Sequence, residues 1–122
     1  MTPSSFRPDV LAGKRILITG GGTGLGKELA RQFSAQGAAV HICGRREAVL
    51  QATVDELGAT AAHGGSIEYQ LCDVREAEQI EAMVERIWAG GPLTGLVNNA
   101  AANFIAPSTE ISPRGFAAVR ST

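Results

Sequence analysis

The chain has 122 residues, of which 44% are hydrophobic and 19% charged, with a formal net charge of −1. This is the composition of one ordinary globular domain, with no bulk attraction to nucleic acid or an acidic membrane, and with too few aromatics (5%) for base-stacking platforms. Apolar runs are strand-length, short of the roughly 20 residues a membrane span needs, and residues 1–14 lack a signal-peptide core, so a cytoplasmic protein without nucleic-acid or membrane partners is expected.

After a polar leader over residues 1–14, Arg15–Gly20 is an apolar run without alternation, as in a strand covered on both faces. A helix opens at Gly24 with Leu25, Leu29 and Phe33 as its apolar stripe, and Gly37 is its stop. Ala39–Gly44 reads as a second strand. Arg46–Leu57 reads as a helix with Leu50, Val54 and Leu57 on one face, closed by Gly58. Past Gly64-Gly65, Ile67–Cys72 is a third strand, and Arg75–Trp88 a helix with Ile80, Val84 and Ile87 inward. Gly90-Gly91-Pro92 ends it, because proline cannot continue a helix. Gly95–Ala101 is a fourth strand, and Ser112-Pro113 pairs an N-cap with proline at the first helical position. Cys43 and Cys72 lack CxxC or paired-histidine spacing, so buried free thiols are expected, with neither a disulfide nor a metal site.

Strands of about six residues alternating with helices of about twelve imply βαβ units. The expected fold is α/β, a doubly wound parallel sheet of the Rossmann type with strand order 3-2-1-4 and any ligand beyond the C-terminal strand ends. Thr19-Gly20-Gly21-Gly22-Thr23-Gly24-Leu25-Gly26 joins the first strand to the first helix. It misses the GxGxxG register, which would need glycine at Lys27, and fits GxxxGxG through Gly20, Gly24 and Gly26. A pyrophosphate needs bare backbone N–H groups at a helix N-terminus. Gly20 then supplies the turn, Gly24 the close approach and Gly26 tight helix–strand contact, with Gly22, Thr23 and Leu25 as further candidate contacts. A Walker loop is set aside, since Gly26-Lys27-Glu28 lacks the Mg²⁺-binding hydroxyl. At the end of the second strand an NAD site usually places an acid for the ribose 2′-hydroxyl. Here stand Gly44-Arg45-Arg46, with no acid before Glu47. A guanidinium suits a 2′-phosphate, so NADP(H) is favoured over NAD(H). For Arg46, a solvated helix start is the equal alternative.

Thr19–Gly26, Asp73 and Asn98-Asn99-Ala100-Ala101 together resemble the short-chain dehydrogenase/reductase family: its TGxxxGxG loop, its acid after strand three, and its NNAG motif with Ala101 in place of glycine. The resemblance implies that Asp73 bonds the adenine amino group and that Val74 lies against the ring. It implies that Asn98 steadies the sheet, that Asn99 and Ala100 lie near the cofactor, and that the parent is a homo-oligomer. Helix capping by Asp73 stays open beside that role. Gly21–Lys27, Cys72-Asp73-Val74-Arg75 and Asn98–Ile105, with Pro107 and Ser112-Pro113, look like the 2,4-dienoyl-CoA reductase branch. That likeness implies NADPH and an acyl-CoA substrate, with Arg45 and Arg75 reaching phosphates and Phe104 and Ser112 lining the acyl-CoA site. A core aromatic and a helix cap are the plainer readings of the last two.

Members of this family use a YxxxK pair as the acid. Tyr69, the single tyrosine, has no lysine four residues on, and Lys14 and Lys27 are the only lysines. No residue of this chain is assigned a catalytic role, and the chain is expected to be the N-terminal part of a longer enzyme. A relative acting on an alcohol, ketone or sugar, and a non-catalytic nucleotide-binding module, are the alternatives.

Overall fold

Successive residues of a strand face opposite sides of its sheet, so an apolar run without alternation needs cover on both. The computed structural model, which describes residues 9–20 and 24–99 and the backbone of 104–105, shows that cover. Its elements are β1 (Arg15–Thr19), α1 (Gly24–Ala35), β2 (Ala39–Gly44), α2 (Glu47–Gly58), β3 (Ser66–Leu71), α3 (Ala77–Ala89), β4 (Gly95–Asn98) and β5 (Phe104–Ile105). Ile16 and Ile18 join Val40, Ile42 and Ile67 beneath Ala30 of α1 and Leu50 and Leu57 of α2. Leu17, Cys43 and Leu96 face the other way, against Ile80, Met83, Val84 and Ile87 of α3. The sheet order is β3-β2-β1-β4-β5, with β1 to β4 parallel as expected. No helix among the described residues is long and apolar enough to cross a membrane.

The structure corrects several local expectations. The β4 strand stops at Asn98 instead of Ala101, because its parallel partner β1 ends at Thr19, opposite Asn98, and Gly20 then turns away at φ +69°. Nor is β4 the outer strand: β5 pairs antiparallel with Val97 and Asn98. The buried face of α1 is Gly26, Ala30 and Ser34, with Leu29 and Phe33 packed at its margin, while Leu25 is 51% exposed. Small residues let this helix lie close to the sheet, which turns the stripe away from Leu25. Helix α2 starts one residue later than expected, with Arg46 as its N-cap, and includes Gly58. Helix α3 starts at Ala77 because residues 73–76 form a turn, with the Glu76 N–H donating to the Asp73 carbonyl at 2.9 Å.

The segment before β1 is tied to the domain from residue 9 on: the Leu11 N–H donates to the Gln36 carbonyl (3.0 Å), and Leu11 packs on the core. Arg15, the first residue of β1, closes the far end of α3 by donating from Nη2 to the Ile87 carbonyl at 2.7 Å.

Candidate cofactor site

The C-terminal ends of β1 to β4 converge on one side of the sheet, and Gly20 stands at the end of the central β1. Its N–H donates to the Cys43 carbonyl of β2 at 3.2 Å, and its φ of +69° is a conformation that favours glycine. Helix α1 then begins at Gly24 (φ +60°), with no atom of the other described residues within 4 Å of the place its Cβ would take and no acid in its first turn. Its positive end is thus unopposed from within the turn. At Gly26 a Cβ would stand 2.4 Å from the Gly20 carbonyl oxygen and 2.9 Å from Asn99 Nδ2, so the expected tight helix–strand contact is present. Asn99 completes it by donating to that same oxygen at 3.3 Å. Its neighbour Asn98 accepts from Thr19 Oγ1 at 2.9 Å, joining β4 to β1 where the loop departs. A glycine turn at Gly20 and a helix N-terminus at Gly24 without an acid in its first turn fit a pyrophosphate.

Between the ends of β1, β2 and β3 lies a cleft of about 320 Å³. Gly20, Gly44, Cys43 and Cys72 line it together with Arg45, Asp73, Val74 and Arg75. A hollow of about 190 Å³ runs from Gly20, Gly44 and Arg45 past Arg46 to Val49 and Leu50. Arg45 and Arg46 are both exposed at this rim. Cys43 and Cys72 are buried thiols outside any disulfide, as expected. Burial, with Cys72 beside it, pushes the Cys43 thiol up to about 12, so it is an inert wall and no nucleophile.

Asp73 is held by its own turn. Oδ1 accepts from the Arg75 backbone N–H (2.9 Å) and Nε (3.0 Å), and Oδ2 from Nη2 (2.9 Å). The Arg75 side-chain bonds, then its backbone bond, hold the carboxyl down at about 2. The Asp73 N–H in turn donates to Gln79 Oε1 at 2.8 Å. Asp73 is therefore not the cap of α3, a place taken by Glu76.

Gly20, Arg45, Asp73, Val74 and Arg75 thus share one cleft, and Gly24, Leu25, Gly26 and Asn99 belong to the adjoining helix start. Gly22, Thr23, Ala100 and Ser112, with the side chain of Phe104, lie outside the described residues. The bond from the Tyr69 hydroxyl to Glu47 Oε2 (2.7 Å) had no signal in the sequence beyond residue type. Among the described residues no group of His, Cys, Asp and Glu is placed to hold a metal.

The family model of the short chain dehydrogenases matches residues 14–122. The chain belongs to that family. The chain is 42% identical over 117 residues to the peroxisomal 2,4-dienoyl-CoA reductase [(3E)-enoyl-CoA-producing] of Arabidopsis thaliana, covering 95% of the chain and 38% of that protein. It is 36% identical over 107 residues to a probable 2,4-dienoyl-CoA reductase [(2E)-enoyl-CoA-producing] of Bacillus subtilis, covering 87% and 41%. Among solved structures it is similar to actinorhodin polyketide ketoreductase with NADPH: 37% identity, TM-score 0.65, covering 70% of this chain and 32% of that one. The chain thus spans about two fifths of the length of these curated relatives. The family is one of oxidoreductases that bind a nicotinamide cofactor.

Proposed function

We propose that this short-chain dehydrogenase segment binds NADP(H) in preference to NAD(H), and that the enzyme it belongs to reduces an enoyl- or dienoyl-CoA. The observation that carries the cofactor choice is the pair of guanidiniums at the end of β2, Arg45 and Arg46, on the rim of the hollow beside Gly44. Such a fork matches a 2′-phosphate in charge and in donor geometry. When bound, the nicotinamide supplies the hydride. The chain's own residues hold the rest of the cofactor. Gly20 supplies the turn, and Gly24, Leu25 and Gly26 at the start of α1, with Gly22 and Thr23 before them, are the proposed backbone N–H donors to the pyrophosphate. Asp73 and Val74 receive the adenine. Asn99 and Ala100, which follow β4 in the sequence, are the proposed contacts on the nicotinamide side. Arg75 fixes the Asp73 carboxylate with Nε and Nη2, which leaves further N–H donors of the same guanidinium for a phosphate.

Similarity to two proteins named as 2,4-dienoyl-CoA reductases supports the acyl-CoA substrate, for which Phe104 and Ser112 are the proposed lining. Similarity to a polyketide ketoreductase favours a carbonyl substrate as the second reading. The test of the cofactor is Arg45→Asp in the complete enzyme. NADPH should bind about ten-fold more weakly or worse, as expected for a lost charged hydrogen bond, with NADH unchanged or tighter. Unchanged binding of both would refute the assignment. Assaying that enzyme with 2,4-dienoyl-CoA and with a ketone panel separates the two substrates.

A further inference from the structure

Tyr69 is the single tyrosine, and the function proposed above gives it no task. It stands on β3 opposite Ile42 of β2, with its ring against the apolar cluster beneath α1 and α2. Its hydroxyl donates to Glu47 Oε2 at 2.7 Å, 22 residues away in the chain. Glu47 opens α2 directly after Arg46, so it is the carboxylate nearest in sequence to the two arginines. Arg45, Arg46, Val49 and Leu50 line the hollow at that point, and Glu47 does not.

We infer that Tyr69 is a specificity-positioning residue, which draws the Glu47 carboxylate toward β3 and keeps it off the arginines that receive a 2′-phosphate. The inference rests on the NADP(H) reading. An acid at the end of the second strand is what an NAD site uses to bond the ribose 2′-hydroxyl, and a carboxylate there repels a phosphate. In this chain that acid is displaced only to the first turn of α2. Released from Tyr69, this carboxylate is the acid next in sequence to the guanidiniums of Arg45 and Arg46, and charge-assisted pairs are the strong ones. Such pairing occupies the donors a phosphate needs and cancels their charge. A hydroxyl on a packed ring is a suitable restraint, because few rotatable bonds must be fixed to hold it.

The test uses two probes that differ only in the 2′-phosphate, 2′,5′-ADP and 5′-AMP, titrated into the 122-residue chain by calorimetry. The unmodified chain should prefer 2′,5′-ADP. Tyr69→Phe keeps the ring and should weaken 2′,5′-ADP about three-fold, the scale of one exposed ion pair between that carboxylate and a guanidinium the phosphate needs. Binding of 5′-AMP should not change, and Tyr69→Phe with Glu47→Gln should restore the lost affinity. A tyrosine that serves packing alone would weaken both probes and resist that rescue. Equal losses, no loss, or failed rescue overturns the inference. Should Tyr69→Phe not fold, Glu47→Gln alone decides: with the carboxylate already held away, 2′,5′-ADP binding should change less than about two-fold, and a larger gain overturns the inference. Equal binding of the two probes by the unmodified chain would refute the NADP(H) reading itself and this inference with it. A clear preference that Tyr69→Phe leaves intact would refute only the role of Tyr69.

Discussion

Gly26→Ala tests the close contact on which the phosphate loop is built. The added methyl would stand 2.4 Å from the Gly20 carbonyl oxygen, where Cβ contacts under 3.0 Å force something to shift. That oxygen belongs to a backbone held by the Gly20 N–H bond to Cys43, so the start of α1 must retreat. Overpacking of this kind costs about 1–3 kcal/mol. Moving the helix also strains the Asn99 bond to Gly20, a net contribution of about 1 kcal/mol. Against this, alanine gains up to about 1 kcal/mol in helix propensity. The expected result is a net loss of about 2 kcal/mol, or a Tm lower by about 10 °C in a domain of this size. Gly58→Ala is the control, since it lies in α2 with nothing within 4 Å of its Cβ position and should be neutral or stabilising. Chemical denaturation followed by circular dichroism reads both. A Gly26→Ala chain as stable as the original would refute the packing argument.

Three further outcomes are expected. Arg75→Ala should return the Asp73 carboxyl from about 2 toward its ordinary 3.8, as read by carboxyl-carbon NMR. Because the folded value is depressed, the stability Asp73 contributes is present above 3.8 and lost as pH falls toward about 2, and the variant should lack this acid limb. His41 is buried, its Nδ1 without a hydrogen-bond partner, and burial lowers its pKa, opposed by Glu68 and reinforced by Arg15. The unfolded chain therefore takes up a proton near pH 6.5 that the folded chain refuses, so stability should fall below that pH, and His41→Leu should flatten the loss in urea midpoints measured between pH 5 and 8. Finally, the 122-residue chain should turn over no carbonyl or enoyl substrate with NADPH, and measurable turnover by the pure chain would overturn the argument from the missing YxxxK pair.

What could be read in the sequence was whatever depends on local pattern. Ile16 to Ile18 announce a buried parallel strand because they have no polar alternation, and Gly20 and Gly26 announce the turn and the contact because no other residue fits there. Leu25 misled for the same reason. Helical spacing ranks leucines as inward, whereas the surface nearest the sheet is set by what is small enough, namely Gly26, Ala30 and Ser34. Two-residue β5 has no periodicity to detect. Side-chain partnerships were hidden as well: capping stays open for Asp73 in the sequence, and only the structure shows Arg75 folded back on it, while nothing in the sequence pairs Tyr69 with Glu47 before β3 comes beside the start of α2.

The bond from Asn99 to Gly20 spans 79 residues, as do those that join Asn98 to Thr19 and Thr94 to Arg15. During synthesis the glycine turn leaves the ribosome long before the strand that braces it. Until β4 emerges, β1 has a partner on one side only, and the oxygen that fixes Gly26 lacks its amide. Local pairing of β1 with β2 can form early, while closure of the phosphate loop must wait for these distant contacts, which carry the larger loop-closure cost. Cofactor affinity is therefore expected to arise late and abruptly along the growing polypeptide, once residue 99 is free to reach back.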